Sequence, residues 1–202
     1  MRLLFGVLSI LFAGSLLAQA MDTTYYKSGS IKAVGMNAGT KTGKWYHFFP
    51  NGAKSAILNY QEGLLHGQQL YYGVNGNLVA SEHWKSGLQQ DSSFYFYEGG
   101  GLQKKGIFRE GLYQSKWLFL NENGTLKRIG NYRNGLPHGA WIFYDENGNL
   151  WQEGSFEDGL ESGNWKFYKG GEITYEGGFQ AGERVGQWYR FKKGKKVKWK
   201  EF

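Results

Sequence analysis

Histidines and carboxylates are the side chains of this chain that could serve acid–base or metal chemistry. The four histidines are His47, His66, His83 and His138. His66 and His138 stand at the same place, three residues after a glycine in a turn signal, and no second histidine or carboxylate follows at a ligand spacing. The pattern favours histidines in solvated turns over a metal centre or a catalytic base.

The remaining signals for catalysis are weak. Glu62, Glu110 and Asp158 each directly precede a turn glycine, a position that suits turn formation better than a catalytic carboxylate pair. The run Gly99–Gly101 has no Gly-Lys-Ser/Thr sequence after it, so it does not indicate a phosphate loop. We therefore expect a non-enzymatic protein with no cofactor and no metal site.

The chain contains no cysteine. This excludes a thiol nucleophile, a disulfide framework, a cysteine-based metal site and a lipid-anchored lipoprotein. The fold must therefore be held by packing and sheet hydrogen bonds.

Regularly spaced aromatic residues are the stronger functional candidate. Five tryptophans share one column, and three phenylalanines lie two residues further on, on the same face of a strand. One interpretation is the packed core of a single-layer sheet; the other is an open groove whose rings stack on sugars, choline-like cations or apolar side chains. The ladder comprises Trp45, Trp117, Phe119, Trp141, Phe143, Trp165, Phe167 and Trp188.

Lysines crowd the C-terminus. One interpretation is contact with an anionic membrane or polysaccharide phosphate. The other, which we favour, is an edge strand that its lysines protect from pairing with another chain. The residues are Lys192, Lys193, Lys195, Lys196, Lys198 and Lys200.

All these residues belong to a periodic sequence. Repeats begin at Gly43, Gly67, Asp91, Ser115, Gly139, Gly163 and Gly186, a spacing of 24 residues five times and 23 once, with the missing residue near Gly170–Gly171. A fixed period of this size indicates a repeat array in which each unit contacts mainly its neighbours.

One repeat, residues 139–162, predicts the fold of all. The run Trp141–Tyr144 and the run Leu150–Phe156 favour strands, and turn signals follow each of them. Asn147–Gly148 predicts a tight hairpin turn with positive φ at both residues. The fold class is therefore all-β, an elongated single-layer antiparallel β-meander of ~24-residue β-hairpin repeats with about fourteen or fifteen strands.

Glycines inside the second strand pose a packing question. Gly106, Gly130, Gly154 and Gly177 recur there, and we expect an aromatic ring of the neighbouring strand to lie across each of them. If Phe143 is such a buried ring, Phe143→Ala should lower the melting temperature.

The first twenty residues differ from the rest. Arg2 is their only charge, an apolar run spans Leu3–Leu17, and Ala18–Ala20 offers a cleavage site. This predicts a signal peptide at 1–20 and a repeat array at 21–202, in a protein that is periplasmic or extracellular. The apolar run is shorter than the roughly 20 residues that span a bilayer, so we expect no membrane span.

The pattern G-x-W-x-x-Y-x-x-x-G-x-L followed by G-x-F/Y-x-x-G-L resembles MORN repeats, over about residues 25–202, and more closely the bacterial variant of exported or antitoxin-like proteins. Asp91 and Ser115 depart from the leading glycine of that pattern, and Gln69 and Ser93 from its tryptophan. The resemblance implies a scaffold that binds a protein partner in the cell envelope, in an antitoxin-like manner. The alternative is carbohydrate or cell-wall binding through an aromatic groove. Nucleic acid is not an expected partner, because the charge is concentrated at one end.

Overall fold

The computed structural model describes residues 20–202, which form one antiparallel sheet of seventeen strands. The predicted signal peptide, apart from Ala20, lies outside the described residues. The strands are β1 Ala20–Tyr25, β2 Ile31–Asn37, β3 Lys41–Phe48, β4 Lys54–Gln61, β5 Leu64–Leu65, β6 Gly67–Tyr72, β7 Leu78–Lys85, β8 Leu88–Phe96, β9 Leu102–Arg109, β10 Leu112–Leu120, β11 Leu126–Arg133, β12 Leu136–Tyr144, β13 Leu150–Glu157, β14 Leu160–Lys169, β15 Glu172–Gln180, β16 Glu183–Lys192 and β17 Lys195–Glu201.

The sheet is a meander in which each strand pairs with the next one along the chain. The exception is β5, which pairs with β4 just before β6 does, so that β5 and β6 are one strand interrupted at His66. The all-β meander predicted from the repeats is confirmed. The sheet has more strands than predicted because β1 and β2 precede the first repeat and because one strand is split. No helix among the described residues is long and apolar enough to cross a bilayer.

Two kinds of turn alternate along the ribbon. At the Asn-Gly turns only the glycine has positive φ, as at Gly52, where φ is 84°. Asn51 instead accepts a hydrogen bond from the backbone N–H of Ala53, at 3.0 Å. The prediction of positive φ at both residues of these turns is therefore wrong. Both residues do have positive φ at the opposite turns, for example at Glu62 (52°) and Gly63 (81°).

A bulge lies near the start of each repeat. The first residue of all seven repeats has a φ between 56° and 80°. In β10, Gln114 pairs with Ile107 and Leu118 with Lys105, so three residues of β10 face Gly106 alone. The leading glycine column of the sequence marks these bulges, because glycine adopts positive φ without strain.

The two faces of the sheet differ. We call the one that carries the Trp column the indole face; in the middle of the array it includes Trp117 and Phe119 on β10. The other, which we call the outer face, carries Leu118 and its cross-strand partner Ile129. The buried apolar residues lie mainly on the indole face, so the core of this single sheet is made by side chains of neighbouring strands packing on one another.

Candidate functional site

The five tryptophans of the ladder are buried and lie on glycines. Their exposed fractions range from 0% to 4%. A Cβ atom added to Gly130 would come within 2.2 Å of the Trp141 ring, and one added to Gly35 within 2.4 Å of the Trp45 ring. The same contact joins Gly106 to Trp117, Gly154 to Trp165 and Gly177 to Trp188. The predicted aromatic cover over each glycine is therefore present, and the ring that supplies it is the indole.

Each of these indoles also donates a hydrogen bond to the strand that it covers. Trp141 Nε1 donates to the carbonyl oxygen of Asn131 at 3.0 Å, and Trp45 Nε1 to that of Met36 at 3.0 Å. In both cases the acceptor directly follows the covered glycine. A buried indole N–H needs such a partner, so this bond fixes the orientation of the ring.

Further aromatic rings close the sides of the indoles. Tyr132 and Phe156 meet Trp141 edge-on, with ring centroids 5.1 and 5.4 Å away. Phe143 stacks on Trp141 at 5.5 Å and, like Phe119 and Phe167, is half-buried. The five indoles thus offer no open ring face to a ligand.

The ladder is interrupted in two adjacent repeats, and both members of each pair change together. Gln69 replaces a tryptophan where Leu58 replaces the glycine, and Ser93 replaces a tryptophan where Glu82 replaces the glycine. Both Gln69 and Ser93 are fully buried, at 0% exposure. The tryptophan and the glycine are lost together for a steric reason, since an indole cannot lie on a strand that carries a side chain at that position.

The amide of Gln69 reproduces the hydrogen bond of the missing indole. Its Nε2 donates to the carbonyl oxygen of Asn59 at 3.1 Å, and its Oε1 accepts from the backbone N–H of Asn59 at 2.7 Å. Asn59 directly follows Leu58, so the acceptor holds the same place as in the tryptophan repeats. A full set of partners makes this buried amide compatible with the core.

Glu82 gathers a polar cluster in the next repeat. It accepts hydrogen bonds from Trp84 Nε1 and from the Tyr95 hydroxyl, both at 2.8 Å. Burial, together with the neighbouring Glu82 carboxylate, raises the pKa of Tyr71 to about 12, and burial likewise raises the pKa of Tyr95. The Ser93 hydroxyl is buried without a hydrogen-bond partner among residues 20–202. This part of the indole face is therefore polar where the rest is aromatic.

The outer face carries an exposed apolar stripe in the middle of the array. Phe94 is 38% exposed and Ile107 is 42% exposed. With Leu118 and Ile129 they line an open depression of about 430 Å³, at whose border stand Lys105 and Lys116. Neither lysine forms an ion pair with a described residue. The sequence did not single out this surface, although Phe94 and Leu118 hold the same repeat position; the position of Ile107 is polar in most other repeats.

The four histidines lie on different strands and turns of the ribbon, and one of them, His138, lies close to the turn carboxylate Asp158. Asp158 pairs with Arg133 across neighbouring turns at 2.8 Å, which lowers the pKa of the Asp158 carboxyl. His47 lies on the indole face, where burial lowers its pKa. Within the described part of the chain, no group of three or more His, Asp or Glu side chains stands ready to hold a metal ion.

The C-terminal lysines occupy an edge of the sheet. Residues 195–201 form β17, which pairs only with β16, and all seven are exposed. Lys196 forms an ion pair with Glu176, and its ammonium group lies 4.0 Å from the centre of the Tyr189 ring. Lys192 is the last residue of β16, and Lys193 lies in the hairpin turn before β17.

Comparison with known proteins identifies two of the repeats. Residues 113–134 and 137–158 match the family described as MORN repeat variant. No curated protein matches the chain. A solved structure found by comparison is the crystal structure of TcdB2-TccC3, aligned over 86% of this chain and 14% of that chain, at 12% identity and a TM-score of 0.20.

MORN repeats in general bind proteins or membranes. The two matched segments cover β10 to β13, in which the leading positive-φ residue, the buried indole and the covered glycine all recur. Residues 113–158 therefore carry two repeats of the MORN repeat variant family.

Proposed function

We propose that this protein is an exported, non-catalytic scaffold whose outer face binds a segment of a protein partner in the cell envelope. The observation that carries the proposal is the apolar stripe around Phe94 and Ile107, which no other part of the described chain covers. Exposed apolar patches with a polar rim mark interaction surfaces on soluble proteins. An antitoxin-like restraint of that partner is one form that such binding takes.

The charges beside the stripe indicate the chemistry of the partner. Lys105 and Lys116 flank the depression without an ion pair, whereas in a later repeat Lys166 lies 3.5 Å from the Glu153 carboxylate. Free positive charge therefore borders the stripe at β9 and β10. We expect a partner segment with apolar side chains flanked by carboxylates, because complementary charge orients such contacts.

The indole face is less suited to the alternative of glycan binding through the tryptophan ladder. Its five indoles are closed by neighbouring rings and by the glycines beneath them. Export is supported by the signal-like sequence of residues 1–20.

The test is photo-crosslinking in the producing cell. A photoreactive phenylalanine at position 94 should give a discrete adduct with one protein, and the same group at Leu136, an exposed position at the start of β12, should not. Lys105→Glu with Lys116→Glu should abolish the adduct because the charge complementarity is reversed.

Lys85→Glu with Lys127→Glu is the matched control, since both lysines are exposed and lie away from the stripe. An adduct that survives reversal at Lys105 and Lys116, or one that is equally strong from Leu136, would refute the proposed surface. Sequencing the N-terminus of the recovered protein tests export: a start at Met21 supports it and a start at Met1 contradicts it.

A further inference from the structure

The repeat that is one residue short opens a cavity on the ribbon. Its turn consists of Gly170 (φ 61°) and Gly171 (φ 82°), and the following turn of Lys193 and Gly194 is equally tight. The turn before them, Asp145–Asn149, is longer. Beside these short turns lies a cavity of about 780 Å³, within the usual range of small-molecule sites.

Aromatic side chains form part of its wall. Phe167 and Tyr175 are cross-strand neighbours on β14 and β15, and Tyr175 in turn faces Arg190 on β16. Trp151 of β13 also lines the cavity and is 52% exposed. Unlike the five buried indoles, Trp151 therefore presents its ring to solvent.

The cavity carries an excess of positive charge. Arg190, Lys169 and Lys192 line it, and none of them forms an ion pair within the described part of the chain. Nε of Arg190 is buried and has no hydrogen-bond partner among residues 20–202. A buried guanidinium N–H without a partner is costly, so a ligand acceptor at this place would be favourable.

One carboxylate, that of Asp145, also lines the cavity. It accepts hydrogen bonds from the backbone N–H groups of Asn147 and Asn149, at 3.0 and 2.8 Å. Those bonds, above all the one from Asn149, lower the pKa of the Asp145 carboxyl, so it stays ionised and bound to its own turn. Three cations against this single anion leave the cavity positive.

We infer that this cavity binds an acidic sugar. The sugar ring packs against Trp151, and its carboxylate or phosphate accepts hydrogen bonds from the Arg190 guanidinium, whose planar donors suit both groups. Lys169 and Lys192 add attraction at longer range. The site lies away from the apolar stripe of the outer face, so it stands or falls independently of the protein partner.

A similar group of residues elsewhere supplies a matched control. Arg128 also lines an indole-face cavity and also has a buried Nε without a hydrogen-bond partner. Its guanidinium, however, packs over Phe119 at 4.3 Å, and the nearby Lys104 donates to the Tyr113 hydroxyl at 2.9 Å. That cavity, of about 420 Å³, has no exposed tryptophan in its wall.

The test is calorimetric titration of the purified protein with glucuronate, glucose 6-phosphate, glucose and inorganic phosphate. Binding of glucuronate identifies a carboxylate ligand and binding of glucose 6-phosphate a phosphate ligand; either result supports the site. Neutral glucose should not bind. The inference would be overturned if neither acid bound. It would also be overturned if inorganic phosphate bound as tightly as glucose 6-phosphate, because the sugar ring would then contribute nothing.

Variants locate the binding. Arg190→Gln and Trp151→Ala should each weaken binding about tenfold or more, the loss expected for one charge-assisted hydrogen bond or one stacking platform. Arg128→Gln should leave binding unchanged, and equal losses in Arg190→Gln and Arg128→Gln would show unspecific charge attraction. In indole NMR spectra the acid should shift the Trp151 N–H signal, whereas the five N–H groups bonded to backbone carbonyls should stay in place.

Discussion

A tryptophan ring can lie flat on the backbone of a neighbouring strand only where that strand carries no side chain. The contact between Gly130 and Trp141 leaves no room for even a methyl group. Where the glycine has become Glu82, the tryptophan has become Ser93. Glycine and tryptophan of adjacent strands therefore act as one unit. Such units recur along the chain at the repeat length of about two dozen residues.

Restoring that unit in the irregular repeat provides a test at the level of single residues. Ser93→Trp alone should destabilise the protein, since the indole would meet Glu82, and Glu82→Gly alone should leave the Trp84 N–H and the Tyr95 hydroxyl without their acceptor. Combined, the two changes should cost less than the sum of the single changes, because the new indole then lies on a bare glycine. We expect a coupling free energy of about 1–3 kcal/mol from urea unfolding of the four proteins.

If the effects of Ser93→Trp and Glu82→Gly on the free energy of unfolding were additive, the two positions would not act as one unit. A control for overpacking is Gly130→Ala, which should cost about 1–3 kcal/mol because Trp141 cannot move away from the added methyl group. An unchanged unfolding midpoint in Gly130→Ala would show that the indole adapts more freely than the contact implies.

At the scale of single residues, the sequence predicted which glycine and tryptophan positions recur, and it left open whether the tryptophans form a core or a groove. The recurring glycines indicated that a ring would cover them, and the recurring tryptophans were recognised as one column. What sequence alone left undecided was whether the indoles formed a core or a groove, since burial depends on how neighbouring strands place Tyr132 and Phe156 around Trp141. The joint departures at Leu58 and Gln69 were a usable signal for direct contact.

At the level of hairpins, the type of turn is set by the number of residues between the strands and by the side chains available to bond the backbone. Asn-Gly occurs in tight turns with two positive φ angles and also in longer turns where only glycine is left-handed. Here the longer form occurs, because the Asn51 side chain binds the backbone two residues on. The pair Asn-Gly therefore predicted the position of a turn correctly and its geometry incorrectly.

The bulge at the start of each repeat makes a second prediction. Ser115 has a φ of 57°, which is strained for a residue with a Cβ, so Ser115→Gly should raise stability by about 0.5–1 kcal/mol. Gly139→Ala should lower it by about 1 kcal/mol, although an added Cβ there would meet no atom within 4 Å. Thermal and urea unfolding measure both.

The neighbouring residue separates the bulge from a general effect of glycine. Ala140→Gly places glycine at a strand position without positive φ and should lower stability. If Ser115→Gly lowered stability as well, the left-handed backbone would not be the source of the strain.

At the level of the whole molecule, an open meander has two edge strands. One side of each edge strand presents backbone N–H and C=O groups that no neighbouring strand pairs. β1 and β17 are the edges, and β17 carries four lysines in seven residues. Lysine on an edge strand discourages pairing with another sheet. We therefore expect the variant with glutamine at Lys195, Lys196, Lys198 and Lys200 to self-associate, as measured by light scattering after size-exclusion chromatography.

A control with the same change in charge away from the edge replaces Lys44, Lys85, Lys105 and Lys127, all of which are exposed. It should remain as dispersed as the parent protein. Equal association in both variants would assign the effect to net charge. Loss of binding to anionic vesicles without association would instead favour the surface-contact role of these lysines.

The overall architecture was predictable because a fixed period constrains every repeat at once. The functional surfaces were not, because they lie where the repeats differ. The stripe depends on Ile107, whose position is polar in most other repeats. The cavity beside Trp151 depends on one missing turn residue, whose effect on the neighbouring turns the repeat pattern does not predict.

The pairing of each indole with the glycine of the preceding strand also governs how such a chain can lengthen. Duplicating a segment from β9 to β16 joins a strand with a bare glycine to a strand with an indole, so the new junction closes like the old ones. Inserting a segment that begins with an indole strand, such as β10 to β15, after β7 would press Trp117 against Glu82. Repeat gain by recombination is thus open in the C-terminal half of the array and blocked at its centre, where the ribbon has a fixed internal boundary.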